Sequence, residues 1–262
     1  MRQIQRSITI LGLFVTAFPA VSHAQSPAPV DGRAVLQRMH DAYVGKWYKT
    51  LTFTQKTTLH RGNGAATTQT WLESMRYTPE MGTQLRIDMG DLGSGQGVLY
   101  TADSSWRVLA GKSRPPRAEG NEFIPLIQSV YVQPVAQTEA ELTRLGFNLT
   151  RGYLTIVEGK PAWVVGASSA ADSTTSTFAI DTARKVLLHV TIVRSGQTPI
   201  SVSVGGYVRA GNGWLATRID MFSRGAPVQT EEYSNWKVDV ELPASLFDVT
   251  QWSTTPHWAR KP

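Results

Sequence analysis

The sequence predicts a mainly β protein: an antiparallel sheet with a few accessory helices. Three observations lead there. Residues Ser176 to Val238 read as successive strands (178–181, 186–194, 200–209, 214–224 and 228–238), joined by tight polar turns at 182–184, Gly211-Asn212-Gly213 and Gly225-Ala226-Pro227. Residues Trp47 to Leu59 alternate, with Trp47, Leu51, Phe53 and Leu59 at odd positions and Tyr48, Thr50, Thr52, Thr54, Lys56 and Thr58 at even ones. That alternation means one buried face and one wetter face. Helical periodicity is confined to a stretch before the first strand and to a break between Gly111 and Phe147.

Taken in order, the chain opens on Arg2 and Arg6, an apolar run from Ile8 to Ala20, and Ser22-His23-Ala24. This is the pattern of a secretory signal peptide over residues 1–24, cleaved after Ala24, and the apolar run is short for a membrane span. Gln25 then stands where a lipid-modified precursor would need cysteine. Residues 25–30 read as a disordered Pro/Ala linker, and residues 31–262 as a single domain. Asp31 is placed to cap a helix whose apolar positions Val35, Leu36, Met39, Ala42 and Tyr43 share a face, closed by Gly45. Strands follow at 47–59, 67–77, 84–89, 97–101 and 105–109, with a Gly-rich turn at 90–97. Helices are expected over 121–130 and over 138–145. Thr138 and Glu141 form a capping box for the second. Strands resume at 149–157 and 162–167 and lead into the meander. Pro243 to Phe247 reads as one helical turn, with Trp252 and Trp258 tucked onto the domain.

Composition narrows the chemistry. The chain of 262 residues carries a formal charge of +6 and has no cysteine. Thiolate catalysis and thiolate metal sites are therefore excluded, and an exported chain of this size can build its core without disulfides. The positive charge is mild and spread out, and its richest cluster, Lys112 to Arg117, reads as a solvated loop rather than a nucleic-acid stripe. His40, His60, His189 and His257 lie in separate segments without metal-ligand spacing. Gly93-Ser94-Gly95-Gln96-Gly97 lacks the Lys-Ser/Thr ending of a phosphate loop and leads into a strand. Glu231 and Glu232 are adjacent on a strand and point to opposite faces. Glu232 and Asp220 fall among Arg218 and Arg224 as a solvated lattice. No catalytic constellation stands out.

What remains is bulky apolar content spread over most strands. It reads either as plain core packing or as the lining of a curved sheet whose concave side is apolar and incompletely filled. Such a cavity accepts acyl chains, since each buried CH₂ contributes about 0.8 kcal/mol.

Several stretches resemble the LolA/LolB lipoprotein-carrier superfamily. Phe53-Thr54-Gln55-Lys56 followed by Gly62-Asn63-Gly64-Ala65-Ala66 is similar to that family's first strand and Gly-rich hairpin. Trp71 through Met75-Arg76-Tyr77-Thr78-Pro79 resembles its second strand. Val98-Leu99-Tyr100 to Trp106, Phe178-Ala179-Ile180-Asp181 and Leu246-Phe247-Asp248 fit in the same order. The resemblance implies an unclosed β-barrel with helices covering its concave face, located in the periplasm. It also implies non-covalent carriage of a lipid or lipoprotein by its acyl chains, as in outer membrane biogenesis, with no enzymatic activity and no cofactor. The expected partners are lipid or lipoprotein acyl chains and an envelope protein, with no nucleic acid, and the chain is expected to be a monomer. A non-transporting binding or sensing module of the same fold is the alternative. The cavity-lining candidates are Leu36, Met39, Tyr43, Trp47, Leu51, Phe53, Trp71, Met75, Leu85, Ile87, Trp106, Trp163 and Phe178. Arg76 matches the family arginine that points into the cavity and holds the lid helices closed. Strand alternation leaves two placements for it: outward if Trp71, Met75 and Tyr77 line the cavity, inward with Leu72 if they do not.

Overall fold

The computed structural model describes residues 29–62 and 64–260. The leader at 1–24 and all of the linker but Pro29 and Val30 lie outside the described residues. Val30 is not loose: its N–H donates to Gly152 O at 2.9 Å, and its side chain packs against the core.

Helix α1 (Gly32–Tyr43) starts where Asp31 accepts a hydrogen bond from the Arg33 N–H, and it buries Val35, Leu36 and Met39. Six strands follow: β1 (Thr50–His60), β2 (Ala66–Thr78), β3 (Gly82–Met89), β4 (Gly97–Tyr100), β5 (Ser105–Leu109) and the short β6 (Lys112–Ser113). The helical break is built differently from expectation. A single wide turn at Pro125–Ser129 runs into α2 (Val130–Val132), and α3 spans Val135–Arg144. Pro134 precedes α3, so the helix begins three residues before the expected cap. A proline at helix entry sacrifices nothing, because the first N–H groups have no intrahelical acceptor. Thr138 is thus interior, and its hydroxyl accepts from Gln133 Nε2, which also donates to Glu141.

The second half supplies β7 (Gly152–Val157), β8 (Lys160–Val165), β9 (Thr177–Asp181), β10 (Leu187–Ile192) and β11 (Ile200–Gly205), then β12 (Val208–Ala210), β13 (Gly213–Leu215), β14 (Arg218–Ser223) and β15 (Ala226–Val238). Thirteen of these strands form one antiparallel sheet in the order β6-β5-β4-β3-β2-β1-β15-β14-β11-β10-β9-β8-β7. Its two edges do not pair, so the barrel stays open. Irregularities in register between Thr52 and Thr54 on β1 and between Met221 and Phe222 on β14 bend the sheet.

The meander departs from expectation at one place. The long strands expected at 200–209 and 214–224 break after Gly205 and before Arg218, and β12 and β13 pair as a separate hairpin. Gly206 takes φ +65°, a left-handed conformation that glycine tolerates best, and the Thr217 hydroxyl donates to Gly206 O at 2.7 Å. The small hairpin therefore leaves the main sheet and folds onto its inner face. Gly213 lies against the Trp47 ring so closely that a Cβ there would come within 2.8 Å of it.

The two faces of the sheet are covered by different segments. The helices and the β12–β13 hairpin cover the inner face. The C-terminal segment, with short 3₁₀ turns at Ala244–Phe247 and Val249–Gln251, covers the outer face. There Leu246, Phe247 and Trp252 pack with Leu99 and Val108. Arg86 anchors this cover. Its guanidinium forms a bidentate pair with Asp88 at 2.7 and 2.8 Å, donates to Leu246 O and Trp252 O, and stacks over the Trp252 ring. His257 Nε2 stands 3.2 Å from Asp88 Oδ2, and Trp258 Nε1 donates to Ser74 Oγ.

Candidate functional site

Strand register aligns the inner face. Across β2, β1 and β15 it sets Met75 beside Leu51, Glu73 beside Phe53, and Trp71 beside Gln55, with Gln55 in turn beside Tyr233 and Thr57 beside Glu231. Across β3 and β4 the same rows continue through Leu85 to Tyr100 and through Ile87 to Val98, and Trp71 meets Met89. Apart from Thr57, these side chains line a cavity of about 330 Å³ between the sheet and its inner cover. The cover contributes Phe123, Ile127 and Tyr131 from the α2 region and Tyr207, Trp214 and Leu215 from the β12–β13 hairpin.

Trp47 fixes one end. Its indole stacks on Tyr131 with ring centroids 3.8 Å apart, and Nε1 donates to Gln128 Oε1 at 2.9 Å. Gln128 Nε2 donates onward to Tyr48 O, so the buried amide is satisfied at both ends. A tyrosine set ties cover to sheet by donating to backbone carbonyls: Tyr43 to Arg184, Tyr131 to Lys185, Tyr207 to Leu187 and Tyr48 to Trp214. Burial pushes the phenols of Tyr48, Tyr131 and Tyr207 above their usual range, so they act as neutral donors.

The expected lining residues divide. Trp47, Leu51, Phe53, Trp71, Met75, Leu85 and Ile87 line the cavity. Leu36, Met39 and Phe178 do not: they are fully buried in solid core, with Phe178 edge-on to Phe147. The β7–β9 end of the trough is filled by side chains, and the hollow lies at the end containing β1–β4, β14 and β15. Trp163 stands in the filled end beneath the cations of Arg38 and Lys185. Tyr43 packs edge-on to Trp47 and Tyr131 without lining the cavity. Trp106 is on the outer face, packed against the C-terminal cluster with its register partner Leu99.

Arg76 is also on the outer face, which corrects the expectation that it holds the lid. It donates to Gln84 Oε1 at 2.8 Å and lies 4.3 Å over the Phe247 ring. Strand parity decides the matter: Trp71, Glu73 and Met75 face inward, so Leu72, Ser74 and Arg76 face outward.

The lining also contains carboxylates, among them Glu73 on β2 and Glu231 on β15. Glu73 is only 4% exposed, lines the cavity, and accepts no hydrogen bond among the described residues. Burial, reinforced by the nearby charge of Glu231, pushes its carboxyl well above the usual range. Glu231 is also raised by burial, though hydrogen bonds from Tyr233 and Gln229 act against the rise. The sequence carries a signal for Glu73. It shares parity with Trp71 and Met75, so an ionisable group sits in an apolar row. Glu231 and Glu232 do face opposite sides. Glu232 joins Lys56 and Arg218 on the outer surface, and Arg218 also pairs with Asp220. Among the described residues no cluster of three or more His, Asp or Glu side chains is arranged to hold a metal ion.

No family model matches the chain, and no curated protein matches it. Solved structures do. A domain from Vibrio parahaemolyticus, described as an outer membrane lipoprotein-sorting protein domain, superposes with a TM-score of 0.59 at 14% identity, over 85% of this chain and 98% of that one. A DUF1329 family protein from Desulfovibrio piger superposes with a TM-score of 0.57 at 13% identity, over 83% of this chain and 95% of that one. The fold is LolA-like: a mainly β, unclosed antiparallel half-barrel with helices laid across its inner face. At these identities the likeness is one of fold. No helix among the described residues is long and apolar enough to cross a membrane.

Proposed function

We propose that this protein is an exported, periplasmic carrier that binds a lipid or the lipid moiety of a lipoprotein by an acyl chain held in the inner cavity. The observation that supports this reading is the cavity itself, an apolar hollow lined by Leu51, Phe53, Met75, Leu85, Ile87 and Val98 at one end of a sheet whose other end is packed solid. Its volume is at the low end of the range for ligand sites, which begins at about 300 Å³, and suits a single aliphatic chain. Ten methylenes at about 0.8 kcal/mol each offer roughly 8 kcal/mol before the cost of immobilising the ligand. The binding is non-covalent and uses no cofactor.

Native mass spectrometry of the protein purified from an envelope fraction, with extraction and identification of any lipid, is the test. One acylated molecule per chain supports the reading and names its class. An empty protein that also fails to take up a fluorescent fatty-acyl probe removes it. Trp71 is half-buried at the edge of the hollow. A folded Trp71→Glu variant should lose uptake, and unchanged uptake would place the lipid elsewhere.

A further inference from the structure

The apolar lining explains why a chain would enter, but not why the cavity holds carboxylates. Glu73 is oriented into the hollow from the middle of β2, more than nine-tenths buried and without a hydrogen-bond donor among the described residues. A buried carboxyl left in this state is costly, and residues of this kind are ordinarily paired. Glu231 faces the same space from β15, on the far side of β1. It is held in place by donors from Tyr233 and Gln229, with Gln55 beside it. A third carboxylate in the lining, Glu122, has its own counter-ion in Arg194. Among the described residues that line the cavity none is basic. The lining therefore offers acidic groups without a basic partner, which would repel an anionic head group and ionise favourably against a cation.

We infer that the Glu73–Glu231 end of the cavity receives a protonated amine, so that the ligand is an amphiphile with an aliphatic chain and an ammonium head. The inference rests on the carrier reading, since it assigns the head group for the chain that the cavity holds. An ammonium group brings three N–H donors. It satisfies the open oxygens of Glu73 and shares its charge with Glu231, an arrangement stronger than neutral hydrogen bonds. The aromatic rings of Trp71, Tyr100 and Tyr233 in the same lining favour a cation further. An alcohol head would satisfy Glu73 in part, and a carboxylate head would add like charge.

The test uses four probes and two variants. Decylammonium, decanol, decanoate and propylammonium are titrated into the full protein at one neutral pH, and affinity is read by tryptophan fluorescence and calorimetry. Decylammonium is expected to bind at least about tenfold more tightly than decanol, with decanoate weaker than decanol and propylammonium weak. Glu73→Gln keeps the shape of the side chain and removes its ability to ionise against a cation. It should bring decylammonium to within about threefold of decanol, both measured on the same variant. Glu231→Gln, measured in parallel with thermal melts on both variants, should narrow the same gap. If decanol binds in the wild type and decylammonium binds no better, or if both variants keep the preference, the head-group assignment is overturned while the carrier reading stands. Propylammonium binding as tightly as decylammonium overturns the amphiphile in favour of a small free amine. If no probe binds, the carrier reading falls and this inference falls with it.

Discussion

Replacing Asp88 with asparagine should detach the C-terminal cover from the sheet. Arg86 is buried, with 2% of its side chain exposed, and among the described residues Asp88 is the only carboxylate paired with it. The carbonyls of Leu246 and Trp252 take two more of its donors. Asparagine keeps the shape but leaves a buried guanidinium without its counter-charge. Breaking a buried pair from one side costs about 3–5 kcal/mol. For a chain of this length each kcal/mol moves the melting temperature by roughly 2–4 °C, so a fall of about 6–20 °C is expected. The pH dependence supplies an independent check. Burial alone would raise the Asp88 carboxyl, but hydrogen bonds from His257 and Arg86, together with their charge, hold it below the usual range. Its contribution is therefore complete above the unfolded carboxylate pKa of about 3.9 and is lost as the pH falls through the lower folded value. The variant should lack that part of the acid limb. Urea unfolding followed by circular dichroism between pH 2 and pH 7 measures both effects. A variant within about 1 kcal/mol of wild type, with the acid limb intact, would refute the claim that this pair anchors the cover.

Two further outcomes follow from the inner face. Gly213→Ala should cost about 1–3 kcal/mol, because the new methyl meets a Trp47 ring that is stacked on Tyr131 and bonded to Gln128 and so cannot yield; denaturant midpoints measure it, and a neutral effect would mean that the hairpin does not press on Trp47. Glu73 acts oppositely to Asp88. Its folded pKa is raised, so its stability contribution is whole below the unfolded value of about 4.3 and is lost as the pH climbs toward the folded value; Glu73→Gln should flatten that decline and melt higher than wild type at pH 8, and an identical pH profile would show that Glu73 is not desolvated.

Much of the scaffold is legible because its determinants are local. Asp31 caps α1, the alternation of β1 sets its faces, and polar turns such as Arg224-Gly225, both at positive φ, fix the hairpin between β14 and β15. The misreadings arise where a local rule competes with tertiary packing. Thr138 and Glu141 have capping-box spacing, yet Pro134 starts the helix earlier and their side chains serve Gln133 instead. The expected strands at 200–209 and 214–224 each look unbroken, since nothing in their alternation records that Gly206 turns the chain off the sheet to build a cover for the hollow. Residue type points Trp106 into the cavity, and the family resemblance gives Arg76 its lid-holding role. Their register with Leu99 and Gln84 sends both outward.

The site itself shows the limit more sharply. Period-two alternation tells which side chains face inward, but not whether a second layer reaches them. Phe178 and Phe53 are equally apolar and equally inward, yet Phe147 fills the space over the first, while the second borders the cavity. That difference is set by where α1 and α3 land, which depends on the whole chain. Polarity is the better guide to a working surface. A core row has no use for an unpaired carboxyl, and Glu73 occupies such a row at a cost in stability that burial imposes and no neighbour relieves. Glutamine or leucine would serve packing better at that position. The carboxyl is explicable if its hydrogen bonds are completed by a ligand held in the hollow, as the amine assignment requires.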